Sequence, residues 1–258
     1  LFTKDYLIEE YLIKRKSARE IAKENNCGRG KVEYWLSKYG IKKGRFKDVL
    51  NEDKIDLTNP IFNYYCGLVA TDGYTDRKNT RIVIRLRNKG AKELLTHLKK
   101  YFEFTGSVGL YKERDYDLTM SSEKLLEVID SLGIGEKKQY VKFPQEFHNE
   151  DCERMFLRGV LDGDGNIHTI VSKYTGNVVR GEFRIVHCSL DFVEGVIDCI
   201  NNRLNLNCKL SYHRVKDILY PKLEMTVPDS LVFYNWIYQG YDEFKLSDKF
   251  ERYKQITR

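Results

Sequence analysis

No apolar run in the sequence approaches the roughly 18 residues that a membrane-spanning helix needs, and its polar, basic beginning lacks the apolar core of a signal peptide. A soluble, intracellular protein is therefore expected, whether of the cytoplasm or nucleoid, an organelle or a phage-infected cell. No Cys-x-x-Cys pair occurs among Cys27, Cys66, Cys152, Cys188, Cys199 and Cys208. Several of these fall on apolar faces and read as free thiols in a reducing cell, not as a zinc site or disulfides. What is present is a globular composition, 258 residues with 41% apolar and 32% charged, enough for one large domain and a small one. The net charge of +6 sits in the first 45 residues, where 12 Lys or Arg face 6 Asp or Glu; the remainder carries 32 of each sign. A basic head points to a polyanion partner, whereas a neutral body must sort its charges by face to bind one as well.

One pattern occurs twice. Tyr65-Cys66-Gly67-Leu68-Val69-Ala70-Thr71-Asp72-Gly73 is answered 92 residues later by Leu157-Arg158-Gly159-Val160-Leu161-Asp162-Gly163-Asp164-Gly165. Each copy has Gly at its third position, apolar residues at its fourth and fifth, and Asp-Gly at its end. A lone apolar helix ending in Asp-Gly is common, because Gly stops helices in the left-handed conformation. A repeat at domain-half spacing carries more. Glycine one turn before a helix end lets a second backbone come close, so the two helices are expected to pack through Gly67 and Ala70 against Gly159 and Gly163. Asp72 and Asp164 would then meet where two helix C-termini already make the field negative. Carboxylates forced together either share a proton or capture hard cations such as Mg2+. A calcium-binding helix-loop-helix starting at Asp162 is excluded, since its sixth and twelfth positions would be Ile167 and Lys173 where Gly and Glu are required.

The two segments resemble the paired motifs of the LAGLIDADG homing endonucleases in their single-chain form. Asp72 and Asp164 match the family's metal-binding position. Ala70 stands where the second copy has Asp162, and Tyr65, Cys66 and Arg158 depart from the pattern in ways that bear on helix packing and not on the chemistry. The resemblance implies an α+β fold, a pseudo-two-fold duplicated αββαββα unit forming an antiparallel β-saddle, with divalent Mg2+ or Mn2+ as cofactor. It also implies a basic residue after the last helix of each half, which would stabilise developing phosphorane charge. Lys138 and Lys249 match that segment, with Lys137 and Lys245 as competitors.

In the head, apolar residues at 7, 8, 11 and 12 predict a helix over 6–14, Ser17 caps a second through Asn25, and Cys27-Gly28 turns into a third from Arg29 to Lys38. Ile21, Ala22, Cys27, Val32, Trp35 and Leu36 fall where a helix-turn-helix buries its core. This resembles the small all-α DNA-binding modules of that class, with Arg29, Lys31, Tyr34 and Lys38 on the reading helix. The expected division is a helix-turn-helix domain over 1–43, a linker over 44–59, and an endonuclease domain over 60–258 whose halves are 60–147 and 148–258.

Within the body the order helix, two strands, helix, two strands, helix is read twice. Ile82, Ile84 and Leu86 alternate with Arg81, Arg85 and Arg87, a strand with an apolar and a basic side. Parity nominates Arg81, Arg85, Arg87, Tyr111, Thr119, Arg180, Arg184, Lys209, Ser211, His213 and Lys222 for a nucleic-acid face. His187 shares parity with Phe183 and Ile185 and is expected to be buried and hydrogen-bonded. The resulting expectation is a monomeric, metal-dependent endonuclease cutting both strands of a long double-stranded DNA target. An RNA-binding intron maturase and a non-cleaving regulator on the same fold are the alternatives. A protein-splicing origin is not expected, as the chain ends in Gln255-Ile256-Thr257-Arg258 without His-Asn.

Overall fold

The computed structural model describes residues 2–14, 16–41, 48–87, 89–135, 137–171 and 178–256, with the side chains at 167–171, 178–182, 253, 255 and 256 outside the description. The chain forms two compact units, Leu1–Lys47 and Asp48–Arg258.

In the first unit, α1 (Lys4–Leu7) is capped by the Thr3 hydroxyl and runs into a π-helical segment, Ile8–Ile13. The regular helix expected over 6–14 is thus widened in its second half. Glu10 is buried there, paired with Lys14 at 2.7 Å and Lys16 at 2.6 Å. A capping box of Ser17 and Glu20 opens α2 (Ala18–Glu24), and α3 (Arg29–Lys38) follows after Gly28. Leu7, Ile21, Ala22, Val32 and Leu36 form the core, with Cys27 and Trp35 packed against it.

The second unit starts earlier than the sequence suggested. Residues 42–47 lie outside the description, but residues 48–59, read as linker, pack on the body. Leu50 and Ile55 are buried in its core, Asn51 N–H donates to Phe102 O at 2.9 Å, and Tyr101 donates its hydroxyl proton to Lys54 O at 2.9 Å. Val49, Leu50, Ile55 and Leu57 follow no helical or strand period, which is why the segment reads as irregular.

Asn59 caps α4 (Pro60–Asp72), whose residues Phe62 to Thr71 are all buried. An apolar surface all round marks a central helix. Strands β1 (Gly73–Asp76) and β2 (Arg81–Leu86), helix α5 (Ala91–Tyr101), strands β3 (Gly109–Tyr111) and β4 (Asp115–Ser121) and helix α6 (Glu123–Ser131) complete the first half. The second half repeats the order with α7 (Glu150–Gly163), β5 (Gly165–Val171), β6 (Val178–Val186), α8 (Leu190–Leu204), β7 (Lys209–Val215), β8 (Ile218–Glu224) and α9 (Val227–Ile237). One further helix, α10 (Ser247–Ile256), was not expected; the first half has only a 3-10 turn, Lys138–Tyr140, at the corresponding place. The two antiparallel sheets have matching orders, β1-β2-β4-β3 and β5-β6-β8-β7.

Helices α4 and α7 pack side by side at the centre. A methyl group at Gly67 would fall 3.0 Å from Gly159 Cα and closer still to Phe156 O; one at Gly159 would fall 2.9 Å from Leu68 N. The backbones therefore touch through the two motif glycines. Gly163 meets Thr71, not the Ala70 expected from the sequence. The terminal glycines also act differently from a left-handed helix stop. Gly73 is extended (φ −88, ψ 163), and a Cβ there would lie 2.5 Å from Val69 Cα. At Gly165 it would lie 2.5 Å from Leu161 O. Each glycine is needed because the strand folds back against its own helix.

Two residues at departures from the motif are buried without disturbing the pair. Tyr65 packs on Phe62 and Phe102. Arg158 is fully buried, and its guanidinium donates to Ile237 O at 2.7 Å, Gln239 O at 2.9 Å and Gly240 O at 2.9 Å. It closes the C-terminal end of α9, satisfying carbonyls that a helix end leaves open.

Candidate active site and nucleic-acid face

The glycine contact brings the C-terminal ends of α4 and α7 together, and with them Asp72 and Asp164. Both carboxyls are held above the ordinary carboxylate range. Asp164 is pushed up to about 6, by burial first and then by the negative charge of Asp72; burial raises Asp72. Lys138 and Lys249 pull both values back down, so the four groups form one electrostatic cluster.

The lysines occupy corresponding places in the two halves. Lys138 Nζ donates to Ala70 O at 2.8 Å and Val69 O at 3.1 Å, at the end of α4. Lys249 Nζ donates to Asp162 O at 2.6 Å, Leu161 O at 2.7 Å and Gly163 O at 2.8 Å, at the end of α7. Each cation thus sits on the carbonyls of a helix C-terminus, where the dipole favours it. Burial lowers both, Lys138 to about 8. The competitors lie elsewhere: Lys137 is exposed, and Lys245 pairs with Asp242 at 2.8 Å.

Asp162 is fully buried and accepts from the Tyr64 hydroxyl at 2.6 Å and from Leu246 N–H at 3.0 Å. It ties α4 to the segment that carries Lys249. Nothing in the sequence singled out Tyr64, which precedes the motif. His187 is buried as expected and its Nδ1 accepts from Ser189 N–H at 3.1 Å. Its Nε2 lies 3.9 Å from Asp164 Oδ2, beyond hydrogen-bond distance. Burial, then the Lys138 charge, hold its pKa down to about 4, and it is neutral.

The donor set can be tested against a divalent ion. Among the described residues, no group of three or more His, Cys, Asp or Glu gathers to hold a metal. The site offers two carboxylates whose charge burial disfavours, Asp164 also feeling the charge of Asp72, with two lysines as partial counter-charges. Mg2+ commonly takes one or two carboxylates and fills its remaining positions with water and phosphate oxygens, so these residues fit it. The six cysteines are free.

The nominated face residues fall on one side of each sheet, opposite the core. Ile82, Ile84 and Leu86 are buried, while Arg81, Arg85 and Arg87 point away. The sequence reading missed their partners. Arg81 pairs with Asp76 at 2.8 Å, Arg87 with Asp115 at 2.7 Å, and Arg85 lies 3.8 Å from Asp117 with its guanidinium 3.6 Å from the Tyr111 ring centre. Asp115 and Asp117 share parity with Thr119, which was the available signal. Tyr74, across from Val83, is also exposed on this face. In the second sheet, Arg184, Glu224 and Lys209 form a cross-strand row. Lys222 pairs with Glu224, Ser211 is half-buried beside it, and His213 is exposed. Arg180 lies opposite Ile170 in β6, with its side chain outside the description. On α3, Arg29, Lys31, Tyr34 and Lys38 are exposed; Arg29 pairs with Glu33 at 2.7 Å, and Lys38 lies 4.6 Å over Trp35.

Paired glycine-contact helices flanked by two four-stranded antiparallel sheets of matching order define a LAGLIDADG-type α+β fold. In solved structures, the homing endonuclease I-WcaI bound to its DNA recognition sequence is similar at a TM-score of 0.57, with 15% identity, covering 79% of this chain and 90% of that one. The N-terminal LAGLIDADG domain of DUF199/WhiA is similar at a TM-score of 0.50, with 16% identity, covering 78% of this chain and 94% of that domain. Among curated proteins, the replication factor C small subunit of Methanocaldococcus jannaschii is 26% identical over 156 residues, 58% of this chain and 8% of that protein's length. No family model matches the chain. No helix among the described residues is long and apolar enough to cross a membrane.

Proposed function

We propose that this protein is a site-specific, metal-dependent endonuclease that hydrolyses both strands of a double-stranded DNA target. The observation that carries the reading is the convergence of Asp72 and Asp164 at the touching ends of α4 and α7, each end held by a lysine, Lys138 half-buried and Lys249 buried. A divalent ion bound by the two carboxylates supplies an activated water and stabilisation of the leaving oxygen. Asp72 and Asp164 would hold the cation at the seam between the two helix ends. Lys138 and Lys249 fix the helix ends and place positive charge where the phosphorane develops. Neutral His187 stands beside Asp164, its Nε2 3.9 Å from Oδ2. The outer faces of the sheets contribute arginines already oriented by aspartates and Tyr111, suited to phosphates and to guanine edges. The α3 surface of the first unit offers a second DNA-binding element.

The likeness to I-WcaI supports double-stranded DNA as the partner. A second reading, DNA binding without cleavage, is favoured by the two lysines, which already supply part of the neutralisation that a metal would bring. Incubation with a randomised duplex library, with and without Mg2+, separates the two. In the endonuclease reading Asp72→Asn and Asp164→Asn each abolish Mg2+-dependent cleavage and retain binding; full cleavage by both variants removes the proposed site.

A further inference from the structure

The two sheets differ at their far ends. In the first, β4 is paired with β2 up to Tyr116, and only Asp115 with its partner Tyr111 extends beyond that ladder. In the second, β6 pairs with β8 only from Lys222 to Glu224, while β7 and β8 continue as a two-stranded ribbon to Val215 and Ile218. Pro221 has no N–H with which to lengthen the β6 ladder. The Pro221 carbonyl still accepts from His187 N–H at 3.2 Å, so residues 218–220 run free of the sheet, three residues against one. At about 3.3 Å per residue and 3.4 Å per base pair along a strand, the second half reaches roughly two base pairs further than the first.

The ribbon's two faces carry different chemistry. Leu210 and Leu223 pack on the core. On the opposite face, cross-strand pairs run outward as Ser211 with Lys222, His213 with Tyr220, and Val215 with Ile218. The strip is polar and cationic near the body and apolar at its tip. Val215 is 44% and Ile218 57% exposed among the described residues. Tyr212 and Leu219 are exposed as well but belong to the other face of the ribbon, so the outer end of this face is a single apolar pair. It is the size of a base-edge contact, and a two-stranded ribbon fits the major groove, where thymine alone presents a methyl group.

Resting on the endonuclease reading, the geometry points to the β7–β8 ribbon as an asymmetric specificity element: Val215 and Ile218 contact thymine methyls in the major groove at the outer end of one half-site. The strip is continuous with the DNA face, and Lys209, Lys222 and the Lys216 turn supply charge that phosphates neutralise.

The test uses the full chain and a duplex selected from a randomised library in Ca2+. Each thymine at either end of that duplex is replaced in turn by deoxyuracil, which removes only the methyl. Wild-type protein should lose about 3- to 10-fold in affinity at one or two positions at one end only. Val215→Ser/Ile218→Ser should bind the thymine duplex as weakly as wild type binds the uracil duplex, and uracil should then make no further difference. Unchanged thermal unfolding of this exposed double variant excludes misfolding. Equal binding of thymine and uracil duplexes by wild type, or discrimination that survives in the double variant, overturns the inference and leaves the endonuclease reading intact. Failure to enrich any duplex overturns both.

Discussion

The contact between Gly67 and Gly159 makes a quantitative demand that Gly159→Ala tests. The new methyl would lie 2.9 Å from Leu68 N and 3.0 Å from Gly67 Cα, with Tyr64 O nearer still. Carbon contacts are ordinarily about 3.5–4.0 Å, so α4 and α7 must separate by roughly 0.5–1 Å. All three neighbours are backbone atoms and cannot swing aside. Overpacking of this kind costs about 1–3 kcal/mol, and the upper end applies where nothing can yield. Alanine returns up to about 1 kcal/mol of helix propensity. The net loss is about 1–2 kcal/mol, or about 2–8 °C in the melting temperature of a unit this size. Calorimetry measures it. Gly30→Ala, whose methyl would meet nothing within 4 Å, is the control and should be neutral or slightly stabilising. Separation also pulls Asp72 and Asp164 apart, and a misplacement of about 1 Å lowers cleavage by around 100-fold. A Gly159→Ala protein that melts at or above the wild-type temperature refutes the backbone contact.

Other expectations follow from the same site. Because the fold raises Asp164 from 3.8 to about 6, its ionisation opposes folding fully above about pH 6 and not at all below about pH 4. Without divalent ions, Asp164→Asn should therefore raise stability by about 1–3 kcal/mol at pH 7.5 and leave it unchanged near pH 4, read by denaturant melts. Mg2+ should raise the melting temperature of wild type and not that of the Asp72→Asn/Asp164→Asn double variant. Lys249→Met leaves three carbonyls at the end of α7 without their cation, and should lower stability by about 2–4 kcal/mol. Lys245→Met, which breaks a partly exposed ion pair with Asp242 and a cation–π contact with Phe250, should change it by about 1 kcal/mol. Arg158→Met strips several carbonyls after α9 of their donors and should cost about 3–5 kcal/mol in the same assay.

Much of this was legible in the residues. The doubled Gly and Asp-Gly spacing located both central helices and both carboxylates, because close helix packing leaves a mark within one or two turns of chain. Alternation located the outer face of the sheets, because strand parity is local. The segments that sequence reading missed lack such a mark. Residues 48–59 join the body through Leu50 and Ile55, two contacts with no periodicity. Helix α10 carries Lys249 on an amphipathic stretch without a counterpart in the first half. The aspartates that pair with Arg81, Arg85 and Arg87 come from β4 and from the end of β1, and strand register, not the sequence of β2, decides that pairing. The same holds for Tyr64 on Asp162 and for Arg158 on the end of α9. Pattern and period determine which face of an element is apolar and where a carboxylate is delivered. Which partner meets that face or that charge is set by approach in three dimensions between segments some 30 to 100 residues apart, and only the assembled tertiary structure decides it.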